Sequence, residues 1–260
     1  MSSPLPELFG GTPPPLFLQQ DYTIRSYECG GDFTLSPLSL LNYLQEIAGV
    51  HANQIGVGIG GLQEKGLTWV LVRMHLALLA PLPRWGSSLL VTTWPSGARG
   101  ALAATRDFHV AASDGKTLAE ANSEWLILNR ETLRPVRLPP DILSLAPHDT
   151  PRVHLPPKPA IQVNGAPIGQ AIFPVRHTDL DQNNHVNNVH YSEWAFESLP
   201  TEWRGRILNG LQVSFKDSAH WGDVISSETS IVGTGTLLHR VADAKNPNRL
   251  FAEVVSIWSE

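Results

Sequence analysis

The run Val175-Arg176-His177-Thr178-Asp179-Leu180-Asp181-Gln182-Asn183-Asn184-His185-Val186-Asn187-Asn188 decides how this chain is organised. Asp181, Asn183 and His185 stand at alternating positions just before a predicted helix. A carboxylate, an amide and an imidazole are groups that hydrolytic chemistry uses: a proton acceptor, an orienting group and a second proton carrier. Shifted back by 151 residues without a gap, the run falls on Ile24-Arg25-Ser26-Tyr27-Glu28-Cys29-Gly30-Gly31-Asp32-Phe33-Thr34-Leu35-Ser36-Pro37.

In that register Arg25 meets Arg176, Leu35 meets Val186, Leu38 meets Val189, Tyr43 meets Trp194 and Glu46 meets Glu197. Ser36 meets Asn187, and both residue types accept hydrogen bonds at helix N-termini. Pro37 suits the first helical position, where its missing N–H costs nothing. Further on, Trp85-Gly86 matches Trp221-Gly222. Leu118-Ala119-Glu120 with Ser123 and Trp125 matches Phe251-Ala252-Glu253 with Ser256 and Trp258. Matches in one order along the chain mean an internal duplication with shorter loops in the second copy.

A length of 260 residues fits two domains of about 130. A hydrophobic share of 42% is enough for a core, and 17% charged residues argue against disorder. The net charge of −5 gives nucleic acid no electrostatic footing. A single cysteine excludes an internal disulfide and fits a reducing compartment. The start of the chain lacks a basic segment followed by an apolar run, so a cytoplasmic protein without a membrane span is expected.

Residues 1–17 read as a lead-in. The first copy then predicts a strand at Asp21–Tyr27 and a helix over Pro37–Ala52, with Leu38, Leu41, Leu44, Ala48 and Ala52 on its buried stripe. Gly56-Val57-Gly58-Ile59-Gly60-Gly61 follows a helix rather than a strand, so it reads as a plain loop and not a phosphate cradle. Strands are predicted at Leu67–Leu79, Leu89–Thr93, Ala101–Ala111 and Ala119–Leu128. Residues 139–169 carry seven prolines before Pro167 and read as a linker. The second copy repeats the plan: strand Gln170–Arg176, helix Asn188–Leu199, then strands Leu208–Lys216, Asp223–Val232, Leu237–Ala242 and Leu250–Ser259.

This order is α+β. One strand, a long helix and four strands are the plan of a hotdog fold, a curved antiparallel sheet wrapped around a central helix. The expectation is a tandem double hotdog, its halves (1–138 and 170–260) joined as an intrachain pseudo-dimer that hides sheet edges.

The same residues carry a family resemblance. Asp179-Leu180-Asp181-x-Asn183-x-His185-Val186-Asn187-Asn188-x-x-Tyr191-x-x-Trp194, with Glu197 and Pro200, resembles the signature of acyl-ACP thioesterases. The first copy adds Tyr43-Leu44-Gln45-Glu46 with Ala48 and His51-Ala52, Gly66-Leu67-Thr68-Trp69-Val70-Leu71, Thr93-Trp94-Pro95, Arg106-Asp107-Phe108 and Ser123-x-Trp125 with Arg134-Pro135. The resemblance spans Phe17 to Trp258. It implies a double-hotdog enzyme that cleaves the thioester of a fatty acyl chain on acyl carrier protein (ACP). It assigns catalysis to the second copy and the acyl pocket to the first. In register, the first copy has Gly30, Asp32 and Thr34 where the second has Asp181, Asn183 and His185, which independently favours one active site per chain.

Plant members carry a catalytic glutamate and cysteine where this chain aligns Ser218 and Ala219, and Cys29 aligns with Leu180 in the other copy. On that alignment no thiol nucleophile operates. The expected chemistry is attack by water, with Asp181 as base, His185 as second proton carrier and Asn183 orienting water or carbonyl. Asp217 and His220 lie nearest the vacated glutamate position and keep the identity of the base open. Oxyanion donors are expected from backbone N–H groups near Asn187–Val189.

Asn187 reads as a cap, Asn188 as support for the site, and Trp69 with Leu41 and Leu44 as the acyl-tunnel wall. No residues have metal-ligand spacing, and water activation by side chains needs no cofactor. The acidic carrier would dock on basic residues drawn from Arg84, Arg99, Arg130, Arg134, Arg137, Arg176, Arg204 and Arg206. Further pairing of two such chains is compatible with the sequence. An acyl-CoA thioesterase, a hotdog hydratase or dehydratase, and a non-catalytic acyl-binding module are the alternatives.

Overall fold

The computed structural model describes residues 16–146, 149–157, 159, 161–163, 165–181 and 183–259. Residues 1–15 of the predicted lead-in lie outside the described residues. The chain divides into two compact units, residues 1–71 with 78–155 and residues 72–77 with 156–260.

In the first unit β1 (Leu18–Thr23) leads through a 3-10 turn (Ser26–Glu28) to helix α1 (Pro37–Gln54) and a short helix α2 (Ile59–Gln63). Then come β2 (Leu67–Leu78), β3 (Ser88–Arg99), β4 (Ala103–Ala112), β5 (Thr117–Asn129), β6 (Pro135–Val136) and helix α3 (Pro140–Leu143). The main strands are ordered β1-β3-β4-β5-β2. The second unit has β7 (Gly169–Pro174), a 3-10 turn (His177–Asp179), helix α4 (Asn188–Glu197), β8 (Leu208–Phe215), β9 (Val224–Gly233), β10 (Thr236–Asp243) and β11 (Leu250–Trp258). Its order, β7-β9-β10-β11-β8, is that of the first unit strand for strand. Residues 72–77 of β2 group with this unit, where Arg73–Ala77 pair with Ser214–Gly210. A helix packed on an antiparallel sheet, twice in one chain, is the double hotdog.

Helix α1 starts where its cap dictates. The Ser36 side chain accepts from the Ser39 N–H at 3.0 Å, and Pro37 follows. Its buried face is Leu40, Leu41, Tyr43, Leu44, Ile47, Ala48 and His51. Leu38 and Ala52 of the predicted stripe are half-buried instead. Each fully buried leucine there contributes roughly 1.5–3 kcal/mol. Of the glycine run expected as loop, residues 56–58 stay outside any helix, while Ile59-Gly60-Gly61 open α2 with Gly58 at its N-cap.

Strand β4 is buried on both faces. The Trp94 indole N–H donates to the Pro151 carbonyl at 2.8 Å, and the Val153 N–H donates to Asp107 Oδ2 at 2.8 Å. Part of the proline-rich stretch read as linker therefore lies against the first unit as an extended cover. Such a cover has no hydrophobic period to announce it.

Candidate active site

The two helix approaches share one frame. Arg176 N–H donates to Asp179 Oδ2 at 2.8 Å as Arg25 N–H donates to Glu28 Oε2 at 2.8 Å, and each arginine also pairs with its acid. Leu180 bridges Val186 as Cys29 bridges Leu35. Asp181 N–H donates to the His185 carbonyl (2.8 Å), as Gly30 N–H does to that of Thr34 (2.9 Å). Asn184 and Phe33 both take left-handed backbone, φ 57° and 65°. Asn187 caps α4 by accepting from Val189 N–H at 3.1 Å, as Ser36 caps α1. The predicted register of 151 is thus an alignment of hydrogen bonds as well as letters.

What differs is the chemistry hung on the frame. In the first unit the Asp32 carboxylate is used up: Oδ1 accepts from Thr34 N–H at 3.0 Å and Oδ2 from the Thr34 hydroxyl at 2.7 Å. In the second unit Asp181 Oδ1 accepts from the N–H groups of Asn183 (2.7 Å) and His185 (3.3 Å). This is a side chain closing its own turn. Its Oδ2 has no hydrogen-bond partner among the described residues. Asn183 and His185 are exposed and Asp181 is half-buried, so solvent reaches all three.

The loop after β8 closes on this turn. Val186 N–H donates to the Ala219 carbonyl at 3.4 Å, and the His220 ring lies 5.2 Å from that of His185. Tyr191 on α4 accepts from Ala219 N–H at 2.9 Å. Arg249 holds the loop's other side, bonding Asp217 Oδ2 at 2.8 Å, the Ser218 carbonyl at 3.1 Å and Asp223 at 3.3 Å. His220 thus stands at the trio, whereas Asp217 is engaged by Arg249. No sequence pattern marked Arg249, which lies 64 residues beyond His185 and reaches the site only through the β8–β11 pairing.

The N–H of Asn187 donates to the Asp179 carbonyl at 2.9 Å and that of Val189 to the Asn187 side chain, so both are committed to the cap rather than aimed at an oxyanion. Of the residues expected to wall an acyl tunnel, Trp69 lines a cavity in the first unit, with its indole N–H held by the Val57 carbonyl at 2.8 Å. Leu41 and Leu44 are buried in the core, and Asn188 sits in the first turn of α4.

That cavity, of about 80 Å³, is lined by Ala48, Ala52, Val57, Trp69, Trp125 and Ile142 among others. It is several times the roughly 10–15 Å³ that a single buried water occupies. Of the candidate docking arginines, Arg99 pairs with Glu124 and Arg176 with the buried Asp179, while Arg206 stacks on Trp203. Among the described residues no helix is long and apolar enough to cross a membrane.

Comparison with known proteins follows the same division. A family model for the acyl-ACP thioesterase N-terminal domain matches residues 15–146, and one for the acyl-ACP thioesterase C-terminal domain matches residues 168–259. The chain is 32% identical over 230 residues to acyl-[acyl-carrier-protein] hydrolase FATB1, chloroplastic, of Cuphea viscosissima, covering 83% of this chain and 54% of that one. It spans about half the length of the curated relatives it matches. An acyl-ACP thioesterase from Bacteroides thetaiotaomicron superposes with a TM-score of 0.82 at 25% identity, over 94% of this chain and 98% of the other. The 12:0-ACP thioesterase from Umbellularia californica gives 0.81 at 26%, over 94% and 97%.

Proposed function

We infer that the chain, which belongs to the acyl-ACP thioesterase family, hydrolyses the thioester of a fatty acyl chain carried on ACP, and that the turn at Asp181 does the chemistry. The observation that supports this is the division of labour within one carboxylate. Asp181 Oδ1 fixes the backbone that presents Asn183 and His185, while Oδ2 is left to accept a proton.

In the proposed reaction a water oxygen bonds to the thioester carbonyl carbon and gives its proton to Asp181 Oδ2. The Asn183 amide donates to the carbonyl oxygen as it becomes an oxyanion. When the C–S bond breaks, the leaving thiolate takes a proton from His185, whose ring is steadied by His220, and the proton held on Asp181 then replaces it. The products are the free acid and the carrier's thiol. General acid–base help of this kind is worth roughly 10²–10⁴-fold in rate. The first unit is assigned to holding the acyl chain, and the lone thiol of Cys29 suits a reducing compartment.

Asp181→Asn is the discriminating variant. It keeps an oxygen to accept from the turn's N–H groups but removes the base, so kcat on an acyl-ACP falls roughly 10²–10⁴-fold with little change in stability. His185→Ala falls by a similar factor. Near-normal turnover in both would sink the assignment. Turnover on acyl-ACP and acyl-CoA of equal chain length decides the carrier, with ACP expected to be preferred.

A further inference from the structure

The turn that brings His220 to the site also holds an indole out of the protein. His220 N–H donates to Asp223 Oδ2 and Asp223 N–H to the His220 carbonyl, each at 3.0 Å. Gly222, at the third position, takes φ 96°, as a type II turn requires. Trp221 occupies the second position and is 71% exposed. That position asks only for a negative φ, so the turn itself gives no reason for a large apolar side chain there. Arg249 grips Asp223 at 3.3 Å, and Val175 N–H donates to the Asp223 carbonyl at 3.0 Å. The second of these bonds lays the turn beside the 3-10 turn at His177–Asp179. There the His177 ring meets the indole edge-on, with centroids 6.4 Å apart and planes at 83°.

The first unit supplies a control. Ser87 N–H donates to the Arg84 carbonyl at 3.0 Å, Gly86 takes φ 81°, and Trp85 is 59% exposed, so the same turn presents an indole in both copies. Its flanks differ. Where the second unit has His177 and His220, the first has Ser26 and Arg84, and that arginine lies over Phe33 at 5.9 Å. In the second unit the indole continues a row that starts at the proposed catalytic groups: His185, then His220 with its ring at 5.2 Å, then Trp221 one peptide further on.

The thiol of ACP stands at the end of a pantetheine arm, a thin flexible chain with two amides and a geminal pair of methyl groups. Two methylenes separate the sulfur from the first amide. With the thioester carbonyl at His185, that amide passes on the side of His220, where Trp221 stands. We propose that Trp221 is a seat for the pantetheine arm of acyl-ACP: its indole face lies against the arm's amide planes and methyls, and His177, against the indole edge, fixes the ring's plane. An aromatic face gives broad contact with few rotatable bonds to freeze, which suits a flexible arm. The assignment rests on the thioesterase reading above and adds to it the group that holds the carrier's arm.

Binding without catalysis tests the seat. The full chain is titrated calorimetrically with holo-ACP, which carries the arm, and with apo-ACP, which lacks it. Holo-ACP binds tighter, and Trp221→Ala cuts its advantage roughly threefold to tenfold, the worth of one aromatic stacking contact. Trp221→Phe keeps part of the advantage, and Trp85→Ala, at the first unit's matching position, keeps all of it. Both tryptophans are exposed, so these changes leave the core intact. Equal binding of holo- and apo-ACP to the unaltered chain overturns the proposal, as does an advantage that survives in Trp221→Ala or falls equally in Trp85→Ala.

Kinetics then separate the arm from its carrier and from the chemistry. Trp221→Ala raises KM for acyl-ACP more than it lowers kcat, because the contact is present in the bound substrate and the transition state alike. Its kcat/KM on acyl-ACP falls roughly threefold to tenfold further than on the N-acetylcysteamine thioester of the same acid, which ends at the first amide. Acyl-CoA, with the same arm, shows the same loss as acyl-ACP. A loss confined to acyl-ACP puts Trp221 against the carrier protein and overturns the arm as its ligand. An equal drop in kcat on every substrate means that Trp221 acts only through His220, and overturns the proposal too. An unaltered chain that hydrolyses no thioester yet keeps a Trp221-dependent preference for holo-ACP refutes the thioesterase reading and leaves the seat standing.

Discussion

Replacing Tyr191 by phenylalanine isolates a single hydrogen bond on which the site's loop depends. The Tyr191 hydroxyl accepts from the Ala219 N–H at 2.9 Å, and neither group meets water, since Tyr191 is 3% and Ala219 0% exposed. Burial raises the phenol to about 12, so it is neutral at working pH. Phenylalanine keeps the ring, including its edge-on contacts with Trp194 and Phe215, and removes only the oxygen. The Ala219 N–H is then buried without an acceptor, which costs about 1–3 kcal/mol. For a chain of this size that lowers the melting midpoint by roughly 2–12 °C. Denaturant titration should show the midpoint falling with an unchanged slope, because the surface exposed on unfolding is the same. Turnover should fall too, since Ala219 sets the backbone next to His220. A stability change under about 0.5 kcal/mol would show that water or a loop shift satisfies the amide, and that Tyr191 does not hold the loop.

His109 and His239 are held neutral by burial, at about 4 and about 3. The unfolded chain protonates both near 6.5, so their contribution is whole above that pH and drains as pH falls toward 4, each by up to about 1.4 kcal/mol per pH unit. Stability that stays flat from pH 7 to pH 5 in denaturant titrations would contradict this. Gly169→Ala places a Cβ 2.1 Å from the Ser198 carbonyl oxygen, so the strand or the helix end must move. A loss of roughly 1–3 kcal/mol in the same titration is expected. Cys29→Ser should leave acyl-ACP turnover within about twofold, because the thiol only donates to the Arg25 carbonyl at 3.4 Å in the first unit's turn. A loss of activity there would reopen the thiol mechanism.

Local chemistry made part of this legible from letters alone. Ser36 with Pro37, and Asn187, fixed both helix starts because capping is decided within three residues. The turn at Asp181 was legible because an acid that closes its own loop uses residues two and four positions on. Contacts set by strand pairing were not. Arg106 meets His51 across 55 residues, and neither lies in a local pattern that specifies the other. For Leu41 and Leu44, helical spacing gives the buried face but not whether that face meets a void or a neighbour. The cover strip through Pro151 and Val153 escaped because prolines and an extended backbone resemble a tether until partners are known.

The shared turn frame has a consequence for how such a chain diversifies. Backbone bonds hold the turn in both units, with or without groups able to move a proton. A duplicated gene can therefore shed those groups from one half without unfolding it. The half so released is at liberty to hollow its interior. Changes in what the molecule grasps and changes in how it reacts then accumulate in different stretches of the gene.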